Sequence, residues 1–125
     1  MKKIIHTTEA PQAIGPYSQA VEVKGFVFVS GQIPLDPKTG SIVTGDIREQ
    51  TTRVMDNAQA ILAAAGCAMS HVVKTTIYLR NMGDFANVNE IYGSYFPTDP
   101  PARATVEVSR LPKDVSVEMD FIAVK

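Results

Sequence analysis

The 125-residue chain has little of the chemistry that disulfides and metal sites require: one cysteine, Cys67, and two histidines. A single cysteine excludes an internal disulfide and any zinc site built from several cysteines. The histidines, His6 and His71, have no metal-ligand spacing around them, so surface or structural roles are the simpler interpretation. No lysine or arginine lies close to Cys67 in sequence to activate its thiol, and we expect it to be a packing residue.

The chain also lacks an excess of one charge and a long apolar run. Twelve lysines and arginines stand against thirteen acidic residues, which gives a net charge of -1. This balance argues against general binding of nucleic acid or of an anionic membrane, because both need a basic surplus. No apolar run reaches the length of a membrane span, and no apolar stretch of a signal peptide follows the Met-Lys-Lys start. We expect a cytoplasmic protein.

The composition is that of a folded domain. Apolar residues make up 45% of the chain and charged residues 20%, as in soluble globular proteins. No repeat, low-complexity segment or Gly/Ser linker divides it, so residues 1–125 are predicted to form one domain. A chain of this length buries roughly two-thirds of its unfolded surface and needs neither a disulfide nor a metal to hold its core.

The residue pattern predicts the order strand, hairpin, helix, strand, helix, hairpin. Lys24-Gly25 has the form of a two-residue hairpin connection. Asp46 has the capping-box spacing with Glu49 at the start of a helix that Gly66 ends. A second amphipathic helix is predicted from Asp84. Strands are predicted at 2–7, 20–23, 26–30, 72–79, 102–109 and 115–124.

Two amphipathic helices of this kind predict an α+β fold, in which one helical layer packs on one face of a mixed sheet. The other face of the sheet then has no partner inside the chain. It meets either water or another subunit.

The last two strands are predicted to pair as an antiparallel hairpin. Matching their apolar positions would place Arg103, Thr105, Glu118 and Asp120 together on the opposite face. The simpler interpretation is the solvated side of a sheet, where opposite charges often meet. However, apolar residues of the last strand share the face of Glu118, which also fits a subunit interface or a ligand cleft.

Other candidate sites are weaker. Ser18 and Ser30 have no base close in sequence, so no catalytic triad is indicated. No glycine-rich phosphate loop is present, and nucleotide cofactors are therefore not indicated. Asn89 lies on the predicted buried side of the second helix, where it either completes a local hydrogen-bond network or points into a pocket.

Several separated segments, taken together and in order, resemble the Rid/YjgF family over essentially the whole chain. The resemblance is to its RidA subgroup of imine deaminases, also called endoribonuclease L-PSP or translation inhibitor. The segments are residues 13–19 (AIGPYSQ), 30–34 (SGQIP), 84–90 (DFANVNE), 101–103 (PAR) and 106–112 (VEVSRLP).

The resemblance implies a chorismate-mutase-like α+β fold with two helices on one face of a mixed sheet. It further implies a homotrimer in which the sheets line a central barrel and ligands bind in clefts between adjacent subunits. The implied enzyme is a hydrolase acting on C–N bonds. It would convert 2-iminopropanoate, 2-iminobutanoate and their enamine forms, such as 2-aminoacrylate, to 2-oxo acids and ammonia, with no cofactor and no metal.

The resemblance also assigns roles to residues. Arg103 matches the arginine that binds the substrate carboxylate, and Glu118 matches the acid that positions or deprotonates the attacking water. The same cleft is lined at positions that match Tyr17, Ser30, Gly31 and Asn89. Thr105 occupies a substrate-binding position where many RidA members have cysteine, so no thiol-dependent role is possible there.

Two other functions stay open. The first is a non-enzymatic regulatory trimer that binds small carboxylic acids in the same cleft, a role for which Glu118 would be unnecessary. The second is the endoribonuclease or translation-inhibitor activity of the older family names. The balanced charge and the lack of a catalytic histidine pair argue against the second function.

Overall fold

A computed structural model describes residues 1–125, which form a six-stranded mixed sheet and two α-helices. The helices are α1 (Ile47–Ala64) and α2 (Phe85–Ser94). The strands are β1 (Lys3–Ile5), β2 (Ala20–Val23), β3 (Phe26–Gln32), β4 (Val72–Leu79), β5 (Ala102–Glu107) and β6 (Val117–Val124). The α+β class predicted from the sequence is confirmed.

The strand order in the sheet is β1-β2-β3-β6-β4-β5. The hairpin predicted between the last two strands is wrong: β6 lies between β3 and β4 and is antiparallel to both, whereas β5 is parallel to β4 at the sheet edge. The crossover through α2 returns the chain to the same end of the sheet, which is why β5 runs parallel to β4. Every residue of β5 is at least partly exposed, as befits an edge strand.

This topology separates side chains that were predicted to share a face. Arg103 pairs in register with Thr75, whose buried side chain lies under the helices, so Arg103 and Thr105 project on the helix side. Glu118 and Asp120 alternate with the buried residues of β6 and project on the opposite side. The predicted cluster of these four side chains does not exist within one chain.

Both helices pack on the same face of the sheet, which confirms the predicted single helical layer. Helix α1 contacts β3 and β6, and it also contacts α2. It begins as predicted, since the Asp46 carboxylate accepts a hydrogen bond of 3.0 Å from the Glu49 backbone N–H. The buried stripes of the two helices consist of Val54, Met55, Ala58, Ile61 and Leu62 from α1 and Val88 and Tyr92 from α2.

The β2–β3 hairpin is confirmed. Lys24 and Gly25 both have positive φ, 50° and 83°, as a two-residue turn that matches the sheet twist requires. Strand β3 continues two residues beyond the predicted end, to Gln32, and its pairing with β6 shifts register between Val29 and Gln32. This bulge lies beside Glu118.

The face of the sheet away from the helices has no second layer within the chain. It carries exposed apolar side chains at Ile4, Phe26, Phe28 and Val106, and the rings of Phe26 and Phe28 stack with centroids 6.2 Å apart. This apolar side is called the open face below. Neither helix combines the length and the hydrophobicity that a transmembrane span needs.

Candidate functional site

The first group of candidate residues lies between β5 and α2. The Arg103 guanidinium donates a hydrogen bond of 2.6 Å to the Asn89 side-chain oxygen. Its central carbon lies 5.0 Å from the ring centroid of Tyr92 and 5.5 Å from that of Phe85, distances at which a cation is attracted to an aromatic face. Asn89 is exposed rather than buried, and its side chain holds one end of the Arg103 guanidinium through this hydrogen bond.

The aromatic support of Arg103 is fixed to the core. The Tyr92 hydroxyl and the Thr75 hydroxyl share a hydrogen bond of 2.7 Å in the interior, and burial raises the pKa of Tyr92. A cavity of about 440 Å³ opens in front of this support and is lined by Asn89, Tyr92, Gly93, Phe96, Pro100, Pro101 and Arg103. We call Phe85, Asn89, Tyr92 and Arg103 the cationic half-site.

Thr105 lies two residues beyond Arg103 on the helix side of β5 and outside that cavity. Its hydroxyl oxygen is buried and has no hydrogen-bond partner. The role of Thr105 in binding substrate stays a prediction.

The second group of candidate residues surrounds Glu118 on the other side of the sheet. A cavity of about 510 Å³ is lined by Ile14, Tyr17, Ser30, Gly31, Ile33, Pro112, Lys113 and Glu118. Glu118 is half-buried and takes part in no ion pair within the chain. Burial, and to a lesser degree the nearby charge of Asp120, raises the pKa of the Glu118 carboxyl. We call Tyr17, Ser30, Gly31, Lys113 and Glu118 the acidic half-site.

Gly31 leaves the space that the Glu118 carboxylate occupies. A Cβ atom added at Gly31 would collide with that carboxylate, so glycine at this position fits a close approach between the bulge of β3 and the acid. The family resemblance placed Gly31 among the residues that line the ligand cleft. The structure shows that it already accommodates a side chain of the protein.

Ser30 is held by the segment before β2. Its hydroxyl donates a hydrogen bond of 2.5 Å to the Ser18 carbonyl, and its backbone N–H donates to the Gln19 carbonyl at 3.0 Å. The hydroxyl hydrogen is therefore engaged, and toward a ligand Ser30 can only accept a hydrogen bond.

Hydrogen bonds of a buried glutamine, Gln19, hold the loop that carries Tyr17 in place. The Gln19 side-chain amide donates to the carbonyls of Thr7 and Pro11 at 3.0 and 2.8 Å, and its oxygen accepts from the Thr7 N–H at 2.8 Å. Tyr17 itself is 51% exposed. A fixed loop thus presents a largely exposed aromatic ring at the wall of the cavity.

Lys113 is a member of the acidic half-site that sequence reasoning missed. Lys113 and Asp114 both have φ of 56°, an uncommon conformation for residues with a side chain, and Asp114 forms an ion pair with Arg110 at 3.2 Å. Residues 112–114 lie in the connection between the last two strands that the sequence predicted. Their position beside the cavity was not predicted, because it depends on β6 lying next to β3.

The structure thus brings the predicted residues together in two separate places. Tyr17, Ser30, Gly31 and Glu118 share one cavity, and Asn89 and Arg103 share the other. Strand β4 lies between β5 and β6, and the two cavities open on opposite sides of the sheet. Within one chain, the Arg103 guanidinium and the Glu118 carboxylate thus lie in different half-sites.

The remaining polar candidates have local contacts. His6 shares a hydrogen bond of 2.7 Å with the Gln12 side chain, and His71 accepts one of 2.7 Å from the Ala68 N–H. Cys67 is buried, as predicted, and burial raises the pKa of its thiol. No three His, Cys, Asp or Glu side chains lie close enough together to hold a metal ion.

Residues 7–125 match the family model described as endoribonuclease L-PSP. The chain belongs to the Rid/YjgF family. The resemblance carried by the sequence motifs is therefore confirmed, and the family model covers all but the first six residues of the chain.

Three relatives of this Rid protein are informative. A RutC family protein of Pyrococcus abyssi is 58% identical over 124 residues, which cover 99% of this chain and 98% of the relative. A mouse protein named 2-iminobutanoate/2-iminopropanoate deaminase is 49% identical over 125 residues, covering 100% of this chain and 93% of the relative. The solved structure of E. coli TdcF with bound serine is 44% identical, with a TM-score of 0.95 and 98% of each chain covered.

Proposed function

We propose that this protein hydrolyses 2-imino acids and their enamine forms to 2-oxo acids and ammonia. In this proposal the cationic half-site of one copy joins the acidic half-site of a second copy to form a complete site. One observation carries it: the chain holds an oriented guanidinium with no carboxylate partner and a half-buried carboxylate with no cation partner. The deaminase name of the mouse relative supports the reaction.

The open face supports assembly with further copies. The stacked rings of Phe26 and Phe28 are 44% and 40% exposed on it, and adjacent exposed aromatic side chains of this kind favour contact with a partner. We propose the homotrimer with a central barrel that the family resemblance implies. In a closed ring of three copies, one surface of each copy contacts a different surface of its neighbour. A site that combines two different half-sites requires this kind of contact.

Arg103 would bind the substrate carboxylate. Its planar fork can donate two parallel hydrogen bonds to a carboxylate, which lysine cannot do. Asn89 and the rings of Phe85 and Tyr92 already fix the plane of the guanidinium, so little conformational freedom is lost when the ligand binds. The serine bound to TdcF, a small ligand that carries a carboxylate, supports this class of ligand.

Glu118 would carry the proton through the reaction. In its protonated form it donates to the imine nitrogen, and the carboxylate then accepts a proton from water as the water oxygen bonds to the iminium carbon. The proton passes from Glu118 to the amino nitrogen of the resulting carbinolamine, and the C–N bond breaks to release ammonia. Glu118 regains its proton from the hydroxyl group as the 2-oxo acid forms.

Hydrolysis of such an imine requires only a modest rate enhancement from the protein. A protonated imine next to a carboxylate is already electrophilic, so the protein must chiefly orient it and move one proton. Positioned acid–base catalysis contributes about 10²- to 10⁴-fold, which a single carboxylate can supply.

The experiment measures release of ammonia and 2-oxo acid from an imine generated in situ by a dehydratase acting on serine or threonine. Arg103→Ala and Glu118→Ala should each abolish most of the activity. When the two inactive variants are unfolded together and refolded as mixed assemblies, about a quarter of wild-type activity should return, because about one interface in four pairs two intact half-sites in a closed ring.

The controls separate the parts of the proposal. Each variant refolded alone should stay inactive, and sedimentation should show the same assembly for both variants and the wild type. No hydrolysis by the wild type would end the proposed reaction. Inactive mixtures of correctly assembled variants would instead show that the site is not shared between copies.

A regulatory protein that binds small carboxylic acids is the second candidate, and the serine bound to TdcF favours it. Imine hydrolysis unaffected by Glu118→Ala, with ligand binding lost in Arg103→Ala, would select this function. The endoribonuclease function has less support, since both histidines have local structural contacts. RNA cleavage by pure protein that disappears with Arg103→Ala would revive it.

A further inference from the structure

Two carboxylates share the open face of β6 next to the acidic half-site. Glu118 and Asp120 are two residues apart on the strand and therefore project on the same side. Tyr78, on β4, lies directly opposite Glu118 in register, and its hydroxyl donates a hydrogen bond of 2.8 Å to the Asp120 carboxylate. All three side chains are half-buried.

We propose that Asp120, held in place by Tyr78, is a positioning residue that makes Glu118 the proton-carrying member of this carboxylate pair. The proposal rests on the proposed function, in which Glu118 donates and accepts a proton. It assigns roles to two residues, Tyr78 and Asp120, that lie outside both half-sites.

The two carboxylates differ in their hydrogen bonds. Asp120 accepts a hydrogen bond of 2.8 Å from Tyr78, which holds its carboxylate on the same side of β6 as Glu118. Glu118 receives no comparable hydrogen bond or ion pair, and burial followed by the charge of Asp120 raises its pKa. Two nearby carboxyl groups in unlike environments divide the acid and base roles in this way.

Tyr78 keeps the donor role under the same conditions. The hydrogen bond to Asp120, followed by burial, raises the pKa of the Tyr78 hydroxyl. The phenol therefore stays protonated where Asp120 is ionised, and the direction of the hydrogen bond is fixed.

Positive charges near Glu118 would act against the effect of Asp120. Gly31 of β3, which faces Glu118, is uncharged, and the phenol of Tyr17 lines the same cavity. The cations are Lys113 in that cavity and, in the proposed site, Arg103 from a second copy. A nearby cation favours the ionised carboxylate, and in this proposal the charge of Asp120 opposes that effect on Glu118.

The test follows the Glu118 carboxyl carbon by NMR during a pH titration of the full assembly. Asp120→Asn keeps the shape and an acceptor for Tyr78 but removes the charge, and should move the Glu118 midpoint to lower pH. Tyr78→Phe removes the donor that holds the Asp120 carboxylate beside Glu118, and should also move the Glu118 midpoint to lower pH. Glu9→Gln removes an exposed carboxylate in the N-terminal loop and should leave the Glu118 midpoint unchanged.

Kinetics gives a second measurement. In Asp120→Asn the alkaline limb of kcat/KM should move to lower pH, so that activity at about pH 8 falls roughly three- to tenfold while the maximum is retained. Asp120→Glu should restore the limb, because it returns a carboxylate. A loss of activity equal at all pH values would show a merely structural role for Asp120.

A Glu118 midpoint that is the same in Asp120→Asn and Glu9→Gln would overturn the proposal. So would identical titrations in wild type and Tyr78→Phe. The titration does not depend on catalysis, so the two proposals fail separately. A wild type that hydrolyses no imine refutes the reaction, whereas an unmoved Glu118 midpoint in an active enzyme refutes only the role of Asp120.

Discussion

Arg103 and Glu118 project from opposite faces of one sheet, with strand β4 between their own strands. A substrate bound to both side chains cannot therefore be held by one chain alone. Under the proposed function this relationship would link catalysis to assembly, because any change that separates the copies would remove one of the two charges from each site. It also explains why Arg103 and Glu118 form no ion pair with each other within the chain.

For activity, the planar two-donor geometry of the Arg103 guanidinium should matter more than its positive charge. Arg103→Lys keeps the cation but loses the second hydrogen bond, the contact with Asn89 and the flat stacking on Tyr92. We expect kcat/KM for imine hydrolysis to fall about 10- to 100-fold, mostly through KM. Arg48→Lys is the matched control, since Arg48 forms an exposed ion pair with Glu90. Equal activity of Arg103→Lys and wild type would remove the bidentate role.

Gly31→Ala should disable the acid without unfolding the protein. The new Cβ would collide with the end of the Glu118 side chain, which can move away, so the melting temperature should change little. The displaced carboxylate would no longer face the cavity, and we expect kcat to fall at least about tenfold.

A double-mutant cycle checks this mechanism. If Gly31→Ala acts through Glu118, adding it to Glu118→Ala should cause no further loss of activity. Independent, additive losses would show that Gly31 contributes in another way, such as direct contact of its backbone with the ligand.

The buried hydrogen bond between Thr75 and Tyr92 should stabilise the fold and the cationic half-site together. Thr75→Val leaves the Tyr92 hydroxyl buried without its partner, and we expect a loss of about 1–3 kcal/mol in the free energy of unfolding. Urea denaturation at a fixed protein concentration measures it. Thr75→Val combined with Tyr92→Phe should cost less than the sum of the single changes, and strict additivity would contradict the assignment.

The raised pKa of Glu118 predicts the sign of a pH effect on stability. The folded protein holds this proton more tightly than the unfolded chain, so between the ordinary and the raised pKa its stability falls as the pH rises. Glu118→Gln cannot ionise. Relative to wild type, it should raise the melting temperature more at about pH 8 than at about pH 3.5. Glu9→Gln should show no such difference, and a larger gain at low pH would refute the shift.

The elements of the fold were predictable where local chemistry decides them. Asp46 caps α1 because its side chain satisfies a backbone N–H only three residues away, and Lys24-Gly25 forms a turn because its backbone can adopt positive φ. The segments that contain Tyr17, Gly31 and Arg103 also identify the family from the sequence alone. These features depend on residues that are close in sequence.

Strand pairing was not predictable in the same way. The alternation in β5 and β6 is equally compatible with a hairpin and with the parallel edge strand that is observed, because periodicity fixes which side chains share a face but not which strand lies alongside. Because this pairing was predicted wrongly, Arg103 was expected on the face away from the helices, whereas it projects on the helix side. Asn89 was likewise placed on the buried side of its helix, although it lies at the exposed border where Arg103 reaches it.

The amino-acid sequence by itself determined the helices, the first hairpin, the family and the residue types of the site, since short-range backbone chemistry and local motifs govern all of these. Only the tertiary structure decided that β6 lies between β3 and β4. That placement sets Glu118 beside Gly31 and Asp120 beside Tyr78, and it turns Arg103 away from Glu118. The physical reason is that pairing of distant strands is selected by the burial of the whole core, to which every segment contributes at once.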